Sequence, residues 1–305
     1  MKQSMTRLET FVNLGYSKDP FRAPQRMETG DMSRCRRILT MAVASRAMVS
    51  IVGERGCGKS EAIIAALKKQ AVRIITAQRS AQEKLTIDDI KTAIIMDLTG
   101  ASPKRGGIAS YAQLRRVLGE TSRKEQIVIV VEEAQRLHPN TLRSLKTLRE
   151  VEYAGEKELC TIVLIAQSDP MNRAGVSEVR LRSDLVRMQG LSAAESAHYV
   201  RETVGKHFAD DAIETLAELP AARNYLELQA LCIELLNVAL SAGRDTVTLD
   251  DVRTIAGTEA APVPRGQAKT KPAAQPTGPS ALRSVLDRRV GANHESPLQD
   301  GGAAC

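Results

Sequence analysis

A chain of 305 residues has room for one large α/β domain and a smaller companion, each with its own apolar core. Aromatic residues make up 3% and tryptophan is absent, so the core must be aliphatic; the formal charge of +7 admits an anionic partner such as nucleic acid without establishing one. The five cysteines (Cys35, Cys57, Cys160, Cys232, Cys305) show no C-x-x-C or His–Cys spacing, and no apolar run reaches the ~18 residues of a membrane span, so zinc sites, disulfide frameworks and membrane partners are set aside and a cytoplasmic location is expected.

Residues 1–30 read as an N-terminal arm rather than a domain, with Phe11, Tyr16 and Phe21 around a turn at Asp19-Pro20. Those aromatics suit two places equally, beside a nucleotide base or stapled to the core. From Asp31 to Ser45 an apolar helical period runs through Met32, Cys35, Ile38, Leu39 and Ala42, with Arg34, Arg36 and Arg37 on other faces.

The next stretch, Val49–Leu67, carries the chemistry. A short apolar run leads into Gly53-Glu-Arg-Gly-Cys-Gly-Lys-Ser60, and an apolar-periodic helix follows, which is G-x-x-x-x-G-K-[ST] in a strand–loop–helix setting. Gly53, Gly56 and Gly58 let the backbone turn tightly, so that N–H groups from Gly56 through Cys57, Gly58, Lys59, Ser60 and Glu61 wrap a phosphate chain at the positive end of a helix. Lys59 is expected on the β- and γ-phosphates and the Ser60 hydroxyl on Mg²⁺, which makes ATP and Mg²⁺ the expected cofactors.

A second strand, Val72–Thr76, is followed by the polar stretch Ala77–Lys84. Helical spacing then covers Leu85–Leu98 and Tyr111–Leu118, with the basic loop GASPKRGGIAS between them. Residues Gln126–Glu133 form a β-branched run ending in two carboxylates. A strand buried on both faces implies a parallel sheet, and acids at its C-terminal end stand where such sheets place ligands. Glu132 is therefore a candidate Mg²⁺ ligand and Glu133 a candidate base for water, the alternative being two solvated acids at a strand end. A Pro-initiated helix over Pro139–Tyr153 precedes a further buried strand, Cys160–Ala166, whose end presents Gln167 to a γ-phosphate or to water. Arg180 and Arg182 lie ahead of a short strand. After Leu191 the pattern is purely helical: Ala193–Gly205, Asp210–Leu219, Arg223–Ala242 and Leu249–Ala256. From Thr258 the chain is rich in Pro, Ala and Gly and reads as a disordered tail, with one possible short basic helix over Ser280–Val290.

Phosphate loop, acidic strand end, polar strand end, arginine pair and helical lid, in that order, resemble an AAA+ ATPase across about Met27 to Gly257. The resemblance implies an AAA+ P-loop NTPase core with a parallel sheet over 31–190, a helical lid over 191–257 and a tail over 258–305. The runs EEAQRLHPNTLRSLKTLRE, TIVLIAQSDP, LSAAESAHYVRETVG and AARNYLELQALCIELLNVAL are similar to one branch, which includes transposition protein B of phage Mu, ATPases of bacterial transposons and protein A of the general secretion pathway. In that branch the first acid is usually Asp, where this chain has Glu132. By the same resemblance Gln167 matches the first sensor, Arg182 (with Arg180 as substitute) the finger reaching a neighbour's γ-phosphate, and Arg223 the second sensor. The implied function is ATP-dependent homo-oligomerisation on double-stranded DNA, as a ring or helical filament, with target selection and recruitment or activation of a transposase. A helicase-loader-like ATPase is the nearest rival, and a signalling or remodelling ATPase without DNA a third reading. Loops facing the centre of such an assembly single out Arg79, Lys84, Lys104 and Arg105 for phosphate contacts with DNA.

Overall fold

The computed structural model describes residues 5–22, 27–77, 85–173, 175–176 and 180–259. Arg79, Lys84 and the tail from residue 260 onward, with its expected short helix, lie outside the described residues.

Five strands, β1 (Met48–Val52), β2 (Val72–Ala77), β3 (Gln126–Val131), β4 (Thr161–Ala166) and β5 (Ser183–Arg187), form one sheet in the order β2-β3-β4-β1-β5, with every pairing parallel. The β-branched runs read as central strands are central: β1 and β4 are buried at every position and β3 at all but Gln126. The two edges, β2 and β5, mix exposed and buried residues. This order puts the acidic end of β3 on one side of the polar end of β4 and the phosphate loop after β1 on the other.

Helices cover the two faces. On one side α2 (Gly30–Ala44) and α3 (Lys59–Lys68) pack Cys35, Leu39, Ile63 and Leu67 against Val49, Ile51, Val128, Val130, Val163 and Ile165. On the other side α4 (Ile87–Thr99), α5 (Gly107–Ser122) and α6 (Pro139–Arg149) pack Ile90, Ile94, Leu114, Leu118, Leu142 and Leu145 against Met48, Ile129, Ile162 and Leu164. The alternation of strand residues between these two clusters is the period-2 pleat read from both sides. Local signals set the helix starts. Thr29 caps α2, the Thr86/Asp89 capping box opens α4, and Pro139 occupies the first turn of α6.

Beyond Leu191 come α7 (Ala193–Val204), α8 (Asp210–Ala217), α9 (Tyr225–Ser241) and α10 (Leu249–Glu259). Helix α7 opens on a Ser192/Glu195 capping box. In the first turn of α10, Asp251 accepts from the Thr248 N–H and hydroxyl and pairs with both terminal nitrogens of Arg244, at 2.8 and 2.7 Å. The helix read from Arg223 begins two residues later, because a 3-10 turn over Pro220–Arg223 precedes it and Asn224 supplies the cap. Arg223 therefore ends a turn instead of opening a helix. Likewise α5 begins at Gly107, so the basic loop is shorter than its sequence suggested.

The arm settles the two readings of its aromatics. Helix α1 (Arg7–Asn13), opened by a Thr6/Glu9 capping box, places Phe11, Leu14 and Phe21 in one cluster with Tyr199, Val200, Phe208, Tyr225 and Leu228 of the helical region. Thr10 donates to Asn237 on α9, and Arg7 pairs with Asp19 at 2.9 Å while lying over the Phe11 and Phe21 rings. The arm is a staple on this helical region. None of the described helices is long and apolar enough to cross a membrane.

Candidate nucleotide site

A cleft of about 290 Å³ lies at the C-terminal ends of β1, β3 and β4, lined by Gly56, Gly58, Lys59, Ser60, Glu61, Glu132, Glu133, Gln135 and Gln167, with Arg55, Ile165 and Ala166. Residues read from three separate stretches thus converge on one wall, as the sheet order requires. Cys57 belongs to the same loop but is turned away and buried. Burial pushes its thiol up, and the neighbouring Lys59 ammonium pulls it back.

The loop's geometry follows from its glycines. Gly56 and Gly58 have φ of +91° and +85°, the left-handed region that side chains other than hydrogen resist. Helix α3 starts at Lys59 with Gly58 as its cap and no side-chain cap, leaving its first N–H groups open toward the cleft. Lys59 is buried to 9% exposure, and its ammonium donates to the Gly53 carbonyl at 2.7 Å and the Glu54 carbonyl at 2.6 Å. The cation that would serve the phosphates is thus parked on its own loop, its hydrogen bonds met by acceptors that phosphate oxygens replace.

Opposite the loop, Glu132 follows β3 directly and is half-buried, while Glu133 is exposed and holds a left-handed φ of +50°. Arg136 pairs with the Glu133 carboxylate at 2.9 Å. A 3-10 turn, Ala134–Arg136, then carries Gln135 back toward β4, where its side-chain oxygen accepts from the Gln167 N–H at 3.2 Å. Arg173 grips the same turn, donating to the Leu137 carbonyl at 2.6 Å and to the Gln135 carbonyl. Neither Gln135 nor Arg173 was singled out in the sequence. The donor set fits Mg²⁺: one hydroxyl (Ser60) and one carboxylate (Glu132) share the cleft with space for phosphate oxygens, the combination this ion takes with nucleotides.

Four other expected residues lie apart from the cleft. Arg182 sits just before β5, whose parallel register with β1 puts Ser183 opposite Met48 and Arg187 opposite Val52. It is therefore at the far end of the sheet, a strand length of roughly 15 Å from the phosphate loop, where it pairs with Glu150 at 2.9 Å. Arg223 lines a different cleft with Asp31, Arg34, Gly190 and Glu195. Lys104 and Arg105 are exposed in the α4–α5 loop. What the lid does bring to the phosphate loop is the residue after Arg223: the Asn224 amide donates to the Arg55 carbonyl at 2.6 Å and the Tyr225 N–H to the Gly56 carbonyl at 3.1 Å. The Tyr225 ring lies against Gly58, within 3.1 Å of where a Cβ would be.

Comparison with known proteins agrees with this geometry. A family model described as an AAA domain matches residues 43–172, from the end of α2 to just past Gln167. No curated protein matches the chain. Among solved structures, the fold is similar to that of Cdc6p from Pyrobaculum aerophilum (TM-score 0.55, 17% identity, covering 81% of this chain and 70% of that one). It is also similar to Drosophila ORC bound to DNA (0.58, 15%, 86% and 68%) and to the Aeropyrum pernix ORC1 protein in complex with DNA (0.53, 16%, 79% and 68%). The core has the AAA+ P-loop NTPase fold, and with an AAA domain spanning an intact phosphate loop the protein is an ATPase that uses ATP and Mg²⁺.

Proposed function

We propose that this protein oligomerises on double-stranded DNA in an ATP-dependent manner, selects target DNA there and recruits or activates a transposase, acting in the cytoplasm. The observation that carries the oligomeric part is the division of the site. The cleft holds Lys59, Ser60, Glu132, Glu133 and Gln167 together, while Arg182 stands a strand length away on the same chain, too far to serve its own phosphates; exposed at the surface, it serves a neighbour's once it leaves Glu150. In this reading Lys59 leaves the Gly53 and Glu54 carbonyls for the β- and γ-phosphates. Ser60 and Glu132 would hold Mg²⁺, which when bound would supply charge screening to the phosphates. Glu133 takes a proton from water as its oxygen bonds the γ-phosphorus and the bridge to the β-phosphate breaks, Gln167 contacts the γ-phosphate, and the neighbour's Arg182 stabilises the charge that develops. Arg223, outside the cleft here, acts as second sensor only if the lid moves relative to the loop.

The transposase part rests on the sequence resemblance. Support for DNA comes from the charge of +7 and from the DNA-bound states of two structural neighbours, which are themselves similar only in fold. Few aromatics leave phosphate contacts as the main mode, with Lys104 and Arg105, and Arg79 and Lys84 outside the described residues, as the candidates. A second reading, a helicase-loader-like ATPase, draws on the Cdc6 and ORC neighbours. ATPase assays with and without duplex DNA, followed by pull-down with an integrase-type transposase or a replicative helicase, separate the readings. DNA-stimulated turnover with transposase binding supports the first, helicase binding the second, and indifference to DNA rejects both. Replacing Lys104 and Arg105 with alanine should weaken binding to all sequences alike and flatten its salt dependence.

A further inference from the structure

We infer that Gln135 is a positioning residue for hydrolysis, which locks the turn bearing Glu133 to the end of β4 and offers its amide to the attacking water. This rests on the reading of Glu133 as the base. The side chain lines the phosphate cleft between Glu133 and Gln167. Its oxygen is committed: it accepts from the Gln167 N–H at 3.2 Å. That bond fixes which way the amide faces, because the Gln167 N–H is a donor and only the oxygen can meet it. Among the described residues nothing accepts from its nitrogen, so a half-buried amide N–H₂ is left at the wall of a phosphate site with two donors to give.

The backbone around Gln135 is held for this purpose from two directions. Glu133 carries a φ of +50°, a left-handed conformation that residues with a Cβ resist. This kink turns the next residues back across the strand ends instead of outward. Arg173, thirty-eight residues on in sequence, donates to the Gln135 carbonyl and to the Leu137 carbonyl at 2.6 Å, so that the turn is clamped at both sides of Arg136. A water that donates to the Glu133 carboxylate and accepts from the Gln135 amide keeps one lone pair for phosphorus. Its orientation is then set by two groups on one rigid turn, and that turn is bonded to the strand end carrying Gln167. Misplacing a reacting group by about 1 Å costs roughly 10²-fold in rate.

The test compares Gln135→Ala, Gln135→Glu and Glu133→Gln under saturating ATP and duplex DNA, alongside binding of a fluorescent ATP analogue and thermal melting. Gln135→Glu keeps an oxygen for the Gln167 N–H but loses the amide donor. The inference expects turnover at least tenfold lower in both Gln135 variants, with nucleotide affinity within about twofold of wild type. If alanine also lowers the melting temperature, the glutamate variant decides: a slow but well-folded protein supports the role. Wild-type turnover in Gln135→Glu would leave Gln135 as a structural bridge only and overturn the inference. Turnover retained in Glu133→Gln, by contrast, rejects the reading of the acidic turn itself.

Discussion

Gly56→Ala tests the contact between the phosphate loop and the lid, and the geometry sets its size. At φ of +91° an alanine costs of order 1–2 kcal/mol in backbone strain alone. Its Cβ would fall 2.2 Å from the Asn224 Oδ1 and 3.0 Å from the Leu226 Cγ, so Asn224 must leave. Asn224 then gives up its 2.6 Å bond to the Arg55 carbonyl and its cap on the Leu226 N–H, at about 1 kcal/mol each. The combined loss is about 3–4 kcal/mol and falls on one joint between two well-packed regions, so the joint opens before either region unfolds. Amide exchange at Tyr225 and Leu226, read by mass spectrometry on short peptides, should accelerate by more than a hundredfold while central-strand amides such as Val130 and Ile165 hold. ATP-analogue affinity should fall at least tenfold, because the same strain distorts the phosphate cradle. Adding Asn224→Ala should give back part of the loss in exchange, since the nearest clash is gone. Unchanged exchange at Tyr225 together with unchanged melting in Gly56→Ala would refute the loop–lid contact.

Lys59→Ala should bind no ATP analogue, because it removes the one lysine lining the cleft; Glu133→Gln should bind ATP yet lose hydrolysis, measured as phosphate release. Arg182→Ala should bind ATP but turn over slowly, and mixing it with Glu133→Gln should restore part of the activity, since mixed interfaces pair an intact base with an intact finger on the partner; no recovery at any ratio would argue against a finger acting in trans. For Asp251, the Arg244 guanidinium and the Thr248 N–H and hydroxyl hold the carboxyl well below the usual range. A depressed carboxylate stabilises the fold above its ordinary value near 4 and loses that contribution as pH falls toward the folded value. Asp251→Asn should therefore destabilise by about 1–3 kcal/mol at pH 7, and the gap in melting temperature to wild type should close as the buffer is taken below about pH 4.

The parts of the fold that were legible in the sequence are those fixed by local chemistry. The phosphate loop declares itself through glycines at defined spacing, and β3 and β4 through β-branched runs too apolar for any place but the sheet's centre. The acids of β3 and Gln167 of β4 could be paired because strands of that character sit side by side. What depends on the meeting of distant segments was not legible. Phe11 and Phe21 suit a base pocket as well as a lid, and only the fold decides, through Tyr199 stacked 6.0 Å from Phe21. The second-sensor role of Arg223 is implied only by the resemblance, which places it at the start of a helix. A 3-10 turn over Pro220–Arg223 instead aims that arginine into a separate cleft and gives the phosphate loop to Asn224, 169 residues from its partner Arg55. Gln135 was missed for a similar reason. Two residues past an acid, a glutamine reads as loop filler until a left-handed Glu133 folds it back over the strand ends.

The contacts of the phosphate loop place two events on one short piece of backbone. The Gly53 and Glu54 carbonyls hold the Lys59 ammonium, and the Arg55 and Gly56 carbonyls hold Asn224 and Tyr225 of the lid. Four consecutive carbonyls are thus engaged, two by the cation that phosphate must capture and two by the domain that must respond. If a phosphate chain draws Lys59 away, the first pair is released directly beside the second, which would couple occupancy to the position of the helical region. The lid in turn is continuous with the arm through Tyr225, Tyr199 and Phe21, with ring centroids 5.4 and 6.0 Å apart. Linkage makes this relation reciprocal: whatever holds the arm and lid in the position that nucleotide favours, a neighbouring protomer or DNA, tightens nucleotide binding by the same factor. If Arg182 of a neighbour serves these phosphates, as proposed, this chain of contacts gives the neighbour's docking a route to them through residues that touch neither.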